Sequence, residues 1–150
     1  MKIAGIIVHG KQLGRTLGYP TANLAPDAGI ASDAPNGVYV GLIALEGYVK
    51  PLPCMVNQGS HPTAPGGPPT IEAHILDFGD DIYGLRAEVE YLRFLRPERK
   101  FASLDALKAQ LARDLAATRQ YFSEHGDMEP PACAEPFRNA HPTGSSVQKV

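Results

Sequence analysis

The chain has 150 residues, the ordinary length of one domain. Hydrophobic residues make up 43% and charged residues 20%, with 15 Gly and 14 Pro, which excludes wholesale disorder and favours a loop-rich β protein. A formal net charge of −2 supplies no general basic field to gather nucleic acid or an anionic membrane, so any phosphate site has to be local.

Ile3 to Val8 reads as a strand that begins almost at Met1. Its apolar run is too short for a signal peptide, no run reaches the length of a membrane span, and little or no other domain is expected before it. Cys54 and Cys133 form neither a CxxC pair nor a disulfide-dense pattern, so a reduced, cytoplasmic protein without membrane attachment is expected. Gly10, Gly14, Gly18, Pro20 and Pro26 break any helix and predict a long structured loop from Gly10 to Pro26.

Two β-rich runs, Gly37 to Leu45 and Tyr48 to Asn57, flank Glu46-Gly47 and predict a hairpin. Pro51 and Pro53 would confine the second arm to a sheet edge or a bulge. Thr70 to Leu76 alternates, with Ile71, Ala73 and Ile75 facing a core and Glu72 and His74 facing away. Asp77 to Gly84 is a turn, after which Leu85, Ala87, Val89 and Tyr91 form the apolar face of a further strand.

Beyond Pro97 the period changes. Leu104, Leu107, Leu111, Leu115, Thr118 and Phe122 recur at helical spacing behind Ser103, a suitable N-cap. From Gly126 onward Pro, Gly and Ser dominate without an apolar period, which predicts a folded unit over residues 1–125 and a mobile tail over 126–150. No internal repeat is present. Short connections between antiparallel strands, with one late amphipathic helix, predict a mainly β protein built as a small closed antiparallel barrel, since an open sheet would expose its edges.

Three groups of residues carry chemistry. Gly10, Gly14 and Gly18 let the backbone approach phosphates and Arg15 adds positive charge, although glycines before a proline also simply make turns. The Thr21 hydroxyl and Asn23 amide carbonyl are hard oxygen donors two residues apart, so in an extended segment they share a side and can share a Mg²⁺; the same residue types also cap loops. Glu72 lies on the non-core face of its strand, where it is either a solvated glutamate or a base.

Gly14 to Leu24 (GRTLGYPTANL), Thr70 to Phe78 (TIEAHILDF) and Phe94 to Phe101 (FLRPERKF) resemble, in this order, the riboflavin kinase family. The resemblance extends from about Ile3 to Phe122. It implies a Greek-key barrel of roughly six strands with a C-terminal helix, acting as a monomer on the small-molecule substrates riboflavin and ATP with Mg²⁺, to give FMN and ADP. Residue by residue, it implies that Gly10, Gly14, Arg15, Gly18, Thr21 and Asn23 hold the nucleotide, with Thr21 and Asn23 on the metal. Glu72 becomes the catalytic base, and Arg96 and Phe101 become flavin-side contacts in the segment between the last strand and the helix. An exposed surface role for Arg96 and a helix-anchoring role for Phe101 stand beside these readings.

Two departures from the family pattern are Lys11-Gln12-Leu13, where many relatives have further glycines, and His61-Pro62-Thr63-Ala64, where many bacterial relatives have Arg-Pro-Thr-Phe. No HxGH-like adenylyltransferase motif occurs, so a stand-alone kinase that makes no FAD is expected. The competing class is a flavin- or nucleotide-binding module of the same fold with little turnover. A nucleic-acid-binding barrel would want a basic groove with interleaved aromatics, whereas aromatic residues are 7% of the chain and Trp is absent.

Overall fold

The computed structural model describes residues 1–9, 21–27, 32–60 and 69–125. Six strands, β1 (Lys2–Val8), β2 (Ala22–Pro26), β3 (Gly37–Leu45), β4 (Leu52–Gly59), β5 (Thr70–Ile75) and β6 (Arg86–Pro97), precede one helix, α1 (Leu104–Glu124). Every pairing is antiparallel and the sheet closes on itself in the order β1-β2-β5-β4-β3-β6. The meander β3-β4-β5 with β2 returning beside β5 is a Greek key.

Closure follows from alternation. One face of each strand is apolar, and Ile3, Ile7, Leu24, Ile43, Val56, Ile71 and Val89 meet inside the barrel. Cys54 belongs to the same core, and burial pushes its thiol far up, so it is an inert, protonated filler. Where β1 crosses β2, a Cβ on Gly5 would lie 2.1 Å from the Ala25 carbonyl oxygen, so only glycine allows the two backbones this approach.

The structure departs from the sequence reading in several local respects. The segment expected as loop as far as Pro26 ends in β2, a strand fixed by pairing to β1 on one side and β5 on the other. Despite Pro51 and Pro53, β4 is an interior strand of the closed barrel, paired on both sides, so it is no edge. The bulges fall on the β3–β6 pair instead, where the register steps at Val38/Tyr39 and Val40/Gly41. The β3–β4 connection is longer than two residues: Tyr48 N donates to Leu45 O at 3.0 Å across a turn in which Gly47 has φ +86°. Arg96 lies within β6, which continues to Pro97, and not in a connecting loop.

Ser103 caps α1 as expected, its hydroxyl accepting from Ala106 N at 3.1 Å. The helix lies over the outer face of β3 and β4, but its buried residues are Gln110, Asp114, Thr118 and Tyr121, while Leu107, Leu111 and Leu115 are half-buried and Leu104 is exposed. A polar stripe therefore faces the barrel where a leucine stripe was expected. Arg96 explains it: this outward-facing residue meets Asp114 in a paired, buried contact, with Nη2–Oδ2 2.8 Å and Nε donating to both carboxylate oxygens at 3.0 Å. Among the described residues no helix is long and apolar enough to cross a membrane.

Candidate active site

Thr21 ends the approach to β2 and Asn23 is the second residue of that strand. The β2–β5 register sets Asn23 opposite Glu72, and the β4–β5 register sets Asn57 opposite Glu72 from the other side. Directly opposed residues of antiparallel strands put their side chains on one face. Since Ile71 and Ala73 point into the core, Glu72 and its neighbours stand on the outside of the barrel.

The Thr21 hydroxyl donates to Glu72 Oε1 at 3.0 Å. This bond fixes the carboxylate and turns the lone pairs of Thr21 Oγ1 away from it. Among the described residues no donor reaches Glu72 Oε2. A hydroxyl oxygen and an amide carbonyl beside a carboxylate are hard donors of the kind Mg²⁺ accepts when substrate phosphates complete its shell, so this donor set fits the ion. Among the described residues no three His, Cys, Asp or Glu side chains cluster to hold a metal by themselves. His74 shares the outer face with Glu72, opposite Met55 on β4.

Beside Thr21 a cavity of about 510 Å³ opens at one end of the barrel, lined by Ile7, Thr21, Ala22, Ala73 and Ile75 and closed by residues 78–83. That volume lies within the range of small-molecule sites. Its wall is braced: Tyr48 Oη donates to Asp80 Oδ2 at 2.7 Å, the Tyr48 and Phe78 rings are 5.7 Å apart, and His9 stacks on Tyr83 at 3.6 Å. Burial, together with the Asp80 carboxylate, pushes the Tyr48 phenol far up, so it remains a donor. At Asp77, where the wall begins, φ is +54° and Arg119 of α1 holds the carboxylate with two bonds of 3.0 and 2.9 Å.

The structure thus brings Thr21, Asn23 and Glu72 together, and it adds Asn57, which the sequence reading missed. Strand alternation around Val56 sets Asn57 outward, but only the register shows that it faces Glu72. Gly10, Gly14, Arg15 and Gly18 lie outside the described residues, as do Cys133, the 61–64 segment and the tail. Arg96 belongs to the same lateral row, Asn23-Glu72-Asn57-Val38-Arg96, three strand spacings from Glu72, or roughly 14 Å along the sheet. Its side chain is 15% exposed, so it is no solvated surface arginine; Asp114 accepts from its Nε and Nη2, and the Pro97 carbonyl from its Nη1. Phe101 sits under two guanidinium groups, 5.6 Å from Arg96 and 4.9 Å from Arg99, at the entry to α1.

In this chain a closed six-stranded Greek-key barrel with a C-terminal helix carries a carboxylate on its outer wall and a cavity at one end. Residues 1–122 match the family model described as Flavokinase: Riboflavin kinase, and the chain belongs to the riboflavin kinase family. It is 42% identical over 120 residues to the bifunctional riboflavin kinase/FMN adenylyltransferase of Escherichia coli K12, a match covering 80% of this chain and 37% of that protein. It is 42% identical over 129 residues to the RNA-binding riboflavin kinase RibR of Bacillus subtilis, covering 85% of this chain and 54% of that one. The crystal structure of riboflavin kinase from Trypanosoma brucei superposes with a TM-score of 0.61 at 28% identity, covering 81% of this chain and 79% of that one. The chain therefore spans little more than a third of the length of its bifunctional relative.

Proposed function

We propose that this chain is an ATP-dependent riboflavin kinase, transferring the γ-phosphoryl group of ATP to the 5′-hydroxyl of the ribityl chain of riboflavin to give FMN and ADP. The observation that carries the reading is the Thr21–Glu72 hydrogen bond with Asn23 in register beside it, because it joins a fixed base to two oxygen donors at the mouth of a cavity.

In this reading the nucleotide occupies the cavity with its phosphates toward Thr21 and Asn23. Bound Mg²⁺ supplies neutralisation of phosphate charge there, held by the Thr21 hydroxyl and the Asn23 carbonyl. Thr21 keeps Glu72 oriented through Oε1, and Oε2 takes the proton of the acceptor hydroxyl as its oxygen bonds to the γ-phosphorus and the bond to ADP breaks. The working unit is residues 1–125 as a monomer, and the family match, which ends at residue 122, supports that boundary. Riboflavin and ATP are the partners we assign; RNA binding belongs to the name of the Bacillus relative.

The test is incubation of the purified chain with riboflavin, ATP and Mg²⁺, with products separated by chromatography. We expect FMN and ADP in equal amounts, no FAD, and no product when the metal is chelated. Flavin that binds but is never phosphorylated would instead identify a binding module.

A further inference from the structure

Glu72 has an amide neighbour on each side, Asn23 on β2 and Asn57 on β4, and the two flanks are unlike. On the β2 flank stand the Thr21 hydroxyl and the cavity. On the β4 flank the register runs unbroken from Cys54↔Ile75 to Gly59↔Thr70, so Asn57 shares the face of Glu72 with Cβ atoms about 4.5–5.5 Å apart. Exposure agrees: Val56 is buried in the barrel while Asn57 is exposed, and no described residue bonds to its amide.

Phosphoryl transfer sets the attacking and leaving oxygens roughly in line. With the phosphate donor on the Thr21 flank, an alcohol that gives its proton to Glu72 Oε2 arrives across the opposite flank, over Asn57. Further round the same row the surface closes, since Val38 is 3% exposed under α1 and Arg96 is tied to Asp114. Asn57 is therefore the last accessible polar side chain of the described row on the acceptor side.

We propose that Asn57 is a substrate-positioning residue, its amide hydrogen-bonding the hydroxyl-bearing chain of the acceptor next to the oxygen that is phosphorylated. A carboxamide offers two donors and an acceptor, which suits neighbouring hydroxyls of a polyol and gives nothing to a plain alkyl chain. The inference rests on the riboflavin kinase reading and adds to it the group that selects the ribityl chain.

Its test compares the full chain with its Asn57→Ala variant in steady-state kinetics, and in binding of riboflavin and of lumiflavin, which carries the same ring without the polyol. We expect kcat/KM for riboflavin to fall about tenfold on loss of such a bond. Riboflavin binding weakens, while lumiflavin binding, the KM for ATP and the melting temperature stay unchanged. Equal kcat/KM in both proteins overturns the assignment, as does an equal loss of lumiflavin affinity. A wild-type chain that makes no FMN overturns the kinase reading and this inference together, whereas normal wild-type turnover with an indifferent variant overturns the inference alone.

Discussion

The inside of the barrel and its outer face under α1 are both buried, yet they are built on different terms. Inside, each strand contributes alternate apolar side chains, and Ile3, Ile43, Val56 and Val89 are at most 1% exposed. Outside, where α1 packs on β3 and β4, Val38, Val40 and Met55 of the strands and Gln110, Asp114, Thr118 and Tyr121 of the helix are buried, with Arg96 paired to Asp114 and Arg93 set 4.7 Å over the Tyr121 ring. The first contact is held by removal of apolar area from water. The second depends on mutual satisfaction of polar groups, so it is directional: Gln110 Nε2 donates to Asp114 Oδ1 at 2.8 Å, and the Thr118 hydroxyl to the Asp114 carbonyl at 2.8 Å. The candidate site lies on the open part of the outer wall, in the row Asn23-Glu72-Asn57 that continues under α1 to Val38 and Arg96.

Substitutions separate the two terms. Ile43→Ala empties fully buried space in the barrel and is expected to cost about 2–5 kcal/mol, read as a lower denaturant midpoint with an unchanged slope. Asp114→Ala leaves Arg96 with a mostly buried, uncompensated charge and is expected to cost about 3 kcal/mol. Replacing the pair together, Arg96→Met with Asp114→Leu, is expected to return stability to within about 1 kcal/mol of the wild type, because no orphan charge remains. A double variant no more stable than Asp114→Ala would show that the outer contact is not governed by charge pairing.

The smallest effect belongs to exposed pairs. Hydrogen bonds from Arg86 and Arg119 hold the Asp27 and Asp77 carboxyls below their ordinary value of 3.8. A lowered folded-state value means that each pair stabilises the fold fully above the unfolded value and ceases to do so as pH falls through the folded one. Arg86→Ala or Arg119→Ala is therefore expected to change the melting temperature little at neutral pH and to make its decline below about pH 4 slightly shallower.

How much of this was legible in the sequence follows the same division. Alternation found β3 with its limits at Gly37 and Leu45, set Ile71, Ala73 and Ile75 inward, and so put Glu72 outside; Ser103 marked the start of the helix. These are local signals. The strand β2 was hidden by Pro20 and Pro26, because partners far along the chain hold it extended. Pro53 concealed that β4 is interior, and Pro97 that Arg96 is still in a strand. Asn57 became a site residue only through its register with Glu72, fifteen positions away. The polar face of α1 was outweighed by its leucines, since nothing in the helix itself tells of an arginine waiting on the barrel.

The central claim is that Glu72, oriented by Thr21, takes the proton of the riboflavin hydroxyl. Glu72→Gln keeps the size and most of the hydrogen bonding while removing the basic carboxylate, so it separates catalysis from binding. Measured beside the wild type for kcat, riboflavin affinity, ATP affinity and melting temperature, the variant is expected to remain folded and to bind both substrates, with kcat lower by about 10²–10⁴-fold. Turnover at the wild-type rate by a folded Glu72→Gln protein would contradict the account.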